Sequence, residues 1–508
     1  MKLRLTLCLL AATLTAQAEV SLPKIFSSHM VLQRDMPIHI WGSATPGESI
    51  TATFHDLTNT ATTDAAGRWS IYLPAQPAGG PYTLTVHSTN TVTYDDILLG
   101  DLWFASGQSN MEMPLSGFPP DTQIENAEKE IAAANYPNIR LLRIDKDASD
   151  YPREDVKSAT GWSLCTPDTA KDFSAVAYFF ARDLQKALAD KQQHIPIGLI
   201  DSTWGGTPAE AWTSMNTLGA NASLTPVFAA RAEKMDHEPT AIRFDALDKQ
   251  TRAEGKPTPE RDWHANPDSW RPAALYNAMV APFTPLPIKG VIWYQGEANS
   301  ALNMVGLYDK LFPAMIEDWR QHWAQGNFPF LYVQISAYAA PKEDWGELRD
   351  AQRKTLSLAN TGMAVTIDIG NEHNVHPSNK QAVGERLSLL ARRLVYNEDI
   401  AASGPFFRLA YPDKGAMHIW FDNAQGLHAK LGAPEGFEVA GTDRVFLRAN
   451  AHIEHTADRD TVVVASPAIP NPQYVRYAWP NFPQANLYNG ANLPAATFTS
   501  LQPPTQPS

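Results

Sequence analysis

The sequence is short of cysteine, of positive charge and of long apolar runs. Only two of its 508 residues are cysteine, Cys8 and Cys165. Cys8 falls in an N-terminal stretch that reads as a removable leader, so Cys165 is left alone. No internal disulfide can then staple the chain, and its stability must come from buried cores. A lone cysteine in that position is more often a small buried hydrophobe than a nucleophile. Lys and Arg number 41 against 54 Asp and Glu, a net charge of −13. That deficit argues against nucleic acid or an anionic membrane surface as partner. Beyond the N-terminus, no apolar run reaches the roughly 20 residues of a membrane span.

The first 18 residues read as an export signal. Lys2 and Arg4 supply the positive start, Leu5 to Leu14 the short apolar stretch, and Ala16-Gln17-Ala18 the small residues of a cleavage site. Cleavage after about Ala18 predicts a secreted or periplasmic protein, whose net charge without Lys2 and Arg4 is −15.

The length implies several domains. Residues 19–98 have an all-β pattern, with Ile38-His39-Ile40-Trp41 and Tyr82-Thr83-Leu84-Thr85-Val86 separated by turns such as Thr45-Pro46-Gly47. A small N-terminal β-sandwich is expected there. From residue 99 to about 400 short apolar strands alternate with helices. The strands expected are Leu102–Ala105, Ile139–Ile144, Ile195–Ile200, Val291–Tyr294, Phe330–Ile335 and Met363–Ile369. Val176, Phe179, Phe180 and Leu184 mark one of the helices. Such alternation predicts a parallel sheet covered on both faces, with its site beyond the C-terminal strand ends. Residues 233–272 interrupt the rhythm with charge, proline, Trp263 and Trp270, and read as an insertion, either a lid or a solvated connector. A second β module is expected over 401–508, from runs such as Met417-His418-Ile419-Trp420-Phe421.

Four loops on that sheet edge carry chemistry. In Ser106-Gly107-Gln108-Ser109-Asn110 a strand ends, a glycine turns, and Ser109 is presented as a nucleophile whose own N–H could meet an oxyanion. The plainer role is a turn serine that caps a helix. In Trp204-Gly205-Gly206-Thr207 the paired glycines let backbone N–H groups approach a ligand. In Trp293-Tyr294-Gln295-Gly296-Glu297 the Gln295 amide follows a strand directly and could donate to an oxyanion. Glu297 there is an acid or base, or a loop-holding carboxylate. Trp204 and Trp293 are candidates for substrate contact or loop structure. In Asn371-Glu372-His373-Asn374-Val375-His376-Pro377, His376 sits where Pro377 would open a helix carrying Val383, Leu387, Leu390 and Leu394. A serine, glycine N–H groups, an amide and a histidine on one edge are what acyl transfer needs. His373 and His376 with Glu372 make a poor metal set, so no metal is expected.

These blocks resemble the sialate O-acetylesterase family. Gly107-Gln108-Ser109-Asn110-Met111, Trp204-Gly205-Gly206-Thr207-Pro208-Ala209-Glu210-Ala211-Trp212, Trp293-Tyr294-Gln295-Gly296-Glu297 and His376-Pro377 with Asn379-Lys380-Gln381 match its motifs in order. The likeness extends to Met30-Val31-Leu32-Gln33-Arg34 and Val475-Arg476-Tyr477-Ala478-Trp479. The resemblance implies an SGNH-like three-layer α/β/α hydrolase domain with flanking β modules, needing no cofactor. It implies hydrolysis of O-acetyl esters on sialic acid, with Ser109 as nucleophile, Gly206 and Gln295 as oxyanion contacts alongside the Ser109 N–H, and His376 as base. Related proteins often have an aspartate two or three residues before the histidine, where this chain has Asn374 and His373. Asp368 and Glu372 are then the nearest carboxylates that could orient His376, and otherwise the site is a dyad. Three other readings compete. One is an esterase acting on acetylated xylan or another polysaccharide. Another is a non-catalytic glycan-binding protein. The third is a glycosidase pairing Glu297 with Asp201.

Overall fold

The computed structural model describes residues 19–501, apart from 121, 237, 260–264 and 457–458. The export signal, Cys8 and Trp263 fall outside the described residues.

Seven strands build the central sheet: β1 (Thr91–Gly107), β2 (Tyr136–Arg143), β3 (Ser163–Cys165), β4 (Ile197–Thr203), β5 (Gly290–Tyr294), β6 (Phe330–Gln334) and β7 (Thr361–Val365). Their order is β7-β6-β5-β1-β4-β2-β3. All are parallel except β3, which runs antiparallel on the β2 edge. The six parallel strands are the six expected. Each is a short apolar run, as a strand covered on both sides requires.

Side chains on β1 show the covering layers. Trp103 packs edge-on against Phe180 of α2 (Ala175–Asp190), with ring centroids 5.0 Å apart. The next residue, Phe104, points the other way, to Trp319 and Trp323 of α3 (Tyr308–Trp323), at 5.7 and 5.5 Å. Successive strand residues face opposite sides, so helices lie on both faces of the sheet. On the α2 side, α5 (Lys380–Leu394) approaches closely enough that a Cβ on Gly384 would come within 2.4 Å of Phe179 Cβ. On the other side, α4 (Trp345–Lys354) packs beside α3. Cys165 is buried at the end of β3, and burial pushes its thiol up to about 12.

The strand β1 is far longer than its expected apolar core. Its first half pairs antiparallel with Gly79–His87 in the N-terminal β module, and its second half lies between β4 and β5. It therefore runs unbroken through position 98, where the two modules were expected to meet. Val31–Gln33 pairs parallel with Leu98–Gly100. Arg34 grips the buried Asp101 carboxylate with two hydrogen bonds of 2.9 and 3.1 Å. The Met30–Arg34 block is thus the seam between module and sheet. Ile38–Ser43 pairs antiparallel with Arg68–Leu73 as a separate two-stranded sheet of this module.

The C-terminal module contains two four-stranded antiparallel sheets. It is fastened to the hydrolase domain through Arg349 of α4. That guanidinium is fully buried and donates to the carbonyls of Ala478, Pro480 and Asn481 at 3.0, 2.6 and 3.2 Å. Burial pulls its pKa down to about 9.

The 233–272 stretch holds the end of one helix, Pro226–Asp236, and the whole of another, Glu238–Ala253. Ile242 and Leu247 of the second are exposed, whereas Trp270 at the far end of the stretch is buried.

Candidate active site

Four loops leave the C-terminal ends of β1, β4, β5 and β7 and meet at Ser109. Gly107 closes β1 at φ 135°, and a Cβ there would lie 2.2 Å from the Tyr294 carbonyl oxygen. Only glycine fits that turn. Ser109 then opens the single-turn helix α1 (Ser109–Glu112) and is half-buried.

His376 reaches it from beyond β7. Its Nε2 lies 2.8 Å from Ser109 Oγ, hydrogen-bond distance for a nucleophile and its base. The edge of Phe118 packs against the imidazole, with centroids 5.4 Å apart. Burial, reinforced by the Lys380 cation, holds the His376 pKa down at about 4. The imidazole is therefore neutral and able to accept a proton at ordinary pH.

No carboxylate touches that imidazole among the described residues. Asp368 is committed elsewhere, forming a two-pronged ion pair with Arg386 at 2.7 Å for each prong. Glu372 is exposed, 3.9 Å from the His373 ring. Neither touches His376: of the two readings left open, an orienting acid at Asp368 or Glu372 and a Ser–His dyad, these contacts favour the dyad. Asn374 accepts the backbone N–H of His376 at 2.9 Å and leaves the ring alone. The expected helix start also moves: α5 begins at Lys380, capped by the Asn379 side chain, and Pro377 lies before it.

The glycine loop after β4 sits against Ser109. A Cβ on Gly205 would be 3.2 Å from Ser109 Cβ. Gly205 N–H donates to Glu112 Oε2 at 2.5 Å, and the same carboxylate pairs with Lys146. Gly206 turns its carbonyl to the Trp270 indole N–H, 2.6 Å away. The N–H groups of Ser109 and Gly206 have no partner among the described residues. Trp204 is half-exposed beside them, with Lys146 Nζ 5.9 Å above its ring.

Gln295 does not fit the donor role expected of it. It is fully buried, and its two amide hydrogens go to Thr207 O at 3.2 Å and Asn299 Oδ1 at 2.7 Å. Its Oε1 accepts from the Tyr308 hydroxyl at 3.0 Å. It ties the β5 loop to the glycine block, with no hydrogen left for an oxyanion. Trp293 is likewise core, ringed by Trp212, Phe312 and Trp319 and closed to any substrate. Glu297 is buried, and Asn110 Nδ2 donates to it at 2.6 Å. This is its loop-holding role. The carboxylates of the glycosidase reading lie on opposite sides of β1, and Asp201 is buried with its Oδ1 on the Thr203 hydroxyl at 2.7 Å.

Two residues near the chemistry, Asn110 and Lys380, were quoted in the sequence blocks without a role, and a third, Glu112, directly follows the first block. Each is next to or one turn away from a motif residue, which is the only sign a sequence offers of them. Among the described residues, no group of three His, Cys, Asp or Glu side chains is arranged to hold a metal ion, and no helix is long and apolar enough to cross a membrane.

Comparison with known proteins assigns the class. The family model described as "Carbohydrate esterase, sialic acid-specific acetylesterase" matches residues 258–392. Human sialate O-acetylesterase is 31% identical, the match covering 75% of this chain and 72% of that protein. The mouse sialate O-acetylesterase is 29% identical over 93% of this chain and 92% of its own length. Among solved structures, a carbohydrate acetylesterase from Xanthomonas citri superposes with a TM-score of 0.81 at 36% identity, covering 95% of this chain and 100% of that one. With its α/β sheet, its flanking β modules and these relatives, the chain belongs to the sialate O-acetylesterase family and is a carbohydrate esterase.

Proposed function

We propose that the enzyme is a serine esterase that removes O-acetyl groups from glycans, O-acetylated sialic acids foremost, through an acetyl-enzyme. The observation that carries this reading is the 2.8 Å contact between Ser109 Oγ and His376 Nε2 at the C-terminal edge of the sheet. His376 takes the Ser109 proton as Oγ attacks the acetyl carbonyl. The Ser109 and Gly206 N–H groups hold the oxyanion. His376 then passes its proton to the departing sugar oxygen. A water, deprotonated by His376, attacks the acetyl-enzyme and releases acetate. On this reading no metal or organic cofactor takes part, and residues 1–18 direct export and are removed.

The test is acetate release from O-acetylated sialic acid and from acetylated xylan by the wild type and Ser109→Ala. Loss of the nucleophile is expected to lower the rate by several orders of magnitude, about 10⁶-fold in a well-studied serine protease. Near-wild-type release by a folded Ser109→Ala enzyme would overturn the mechanism. A marked preference for xylan would move the substrate to neutral polysaccharide.

A further inference from the structure

We propose that Asn110 is a positioning residue that does the orienting work an acid does in a Ser–His–Asp triad, by clamping the peptide before His376. The inference rests on the reading of Ser109 and His376 as nucleophile and base.

Asn110 is completely buried directly after the nucleophile. Its Nδ2 donates to Glu297 Oε1 at 2.6 Å and to the Val375 carbonyl at 3.0 Å. Its Oδ1 accepts from Lys380 Nζ. The Val375 carbonyl can only accept, which puts Nδ2 against it and leaves Oδ1 to face Lys380 Nζ. Both amide hydrogens and one acceptor position of the oxygen are therefore used.

The Val375 carbonyl and the His376 N–H belong to one planar peptide unit. Asn110 holds the carbonyl end at 3.0 Å, and Asn374 Oδ1 holds the N–H end at 2.9 Å. A peptide plane held at both ends leaves the His376 Cα fixed relative to Ser109. Side-chain rotation is then the freedom that remains, and the Phe118 edge limits it. An aspartate on the far ring nitrogen would restrict the same motion from the other side.

The surroundings of Asn110 are costly for folding, which argues that they serve something else. Lys380 is fully buried at the first position of α5, where both desolvation and the helix dipole disfavour a cation. Glu297 is also buried, and its Oε2 has no hydrogen-bond partner among the described residues. Burial pulls the Lys380 pKa down to about 7 and pushes that of Glu297 up, and the two groups meet through the one amide between them. Held on both sides, that amide cannot turn away from Val375.

The experiment is steady-state hydrolysis of 4-nitrophenyl acetate, with kcat referred to sites titrated to completion by a fluorophosphonate. A purely structural role would lower the number of titratable sites and leave kcat per site unchanged. Asn110→Asp keeps the shape and the Lys380 contact but presents an acceptor to Val375. It is expected to lower kcat per site about 10²-fold, the scale of a misplacement of about 1 Å, with KM within about twofold. A kcat per site within about threefold of wild type overturns the clamp. The partly exposed end of the clamp gives a second test that does not disturb the core. Asn374→Ala is expected to lower kcat about tenfold, and Asn374→Ser, whose hydroxyl oxygen still accepts the His376 N–H without bringing a carboxylate near the imidazole, to restore most of it. Equal loss in both Asn374 variants, or none in Asn374→Ala, overturns the clamp even if Asn110→Asp fails to fold. Full activity in Ser109→Ala would instead refute the underlying dyad.

Discussion

The indole N–H of Trp270 donates to the carbonyl of Gly206 at 2.6 Å, fastening the end of the 233–272 stretch to the loop beside Ser109. Holding that carbonyl also holds the plane of the Gly206–Thr207 peptide and limits how the loop can turn. Trp270→Phe keeps most of the ring and deletes the donor. It is expected to lower kcat about tenfold with little change in KM, because a loosened donor loop weakens binding of the transition state more than of the ester. Steady-state kinetics on an acetyl ester decide this, and an unchanged kcat would show that Gly206 needs no such anchor.

The pH profile should reflect the environment of His376. Burial and the Lys380 cation both disfavour the imidazolium and hold the pKa at about 4, against about 6.5 for an unperturbed histidine. The active neutral base then persists as pH falls, so the acid limb of kcat/KM is expected near pH 4. Lys380→Met removes a like charge, so the pKa should rise and the limb should move to higher pH. A wild-type limb near pH 6.5, or a downward move in Lys380→Met, would contradict this account of the site.

Asp368→Asn and Glu372→Gln separate structure from catalysis. Neither carboxylate reaches His376, so both variants should keep kcat and its pH profile. Asp368→Asn weakens a two-pronged, half-buried ion pair with Arg386 and should cost about 1–3 kcal/mol of stability. Glu372 is exposed, and its amide variant should melt with the wild type. Thermal melting read beside kinetics tests both. A steep loss of activity in either variant would restore a third catalytic member.

Extended dialysis against a chelator should leave acetate release unchanged, since the proposed chemistry uses only the serine, the imidazole and backbone N–H groups. Loss that one divalent ion restores would refute a serine-only mechanism.

The parallel strands were legible because each is a short apolar run between turn residues, and a strand covered on both faces has few other ways to be written. Ser109 and His376 were legible for a related reason: each follows a strand end, and the parallel sheet brings those ends to one edge. Position alone could not assign Gln295. The sequence shows that its amide lies at the edge, but not that Thr207 and Asn299 take both hydrogens. Pro377 looked like a helix start, but the hydrogen bond from Ala382 N–H to the Asn379 side chain places the start later. Lys380 was invisible as a buried charge, because a lysine at the start of an amphipathic helix ordinarily faces water. The continuity of β1 was hidden as well, since its pattern changes from half-exposed alternation to a wholly buried run partway along a single strand.

That change within one strand bears on heredity. The α/β domain and the N-terminal β module share β1, which ends at Gly107, two residues before Ser109. A gene rearrangement joining a foreign segment at codon 98 would cut a hydrogen-bonded strand between the module that starts it and the serine that follows it. The N-terminal module and the turn at Gly107 are in that sense one mechanical piece, and a join made between them would have to rebuild the strand.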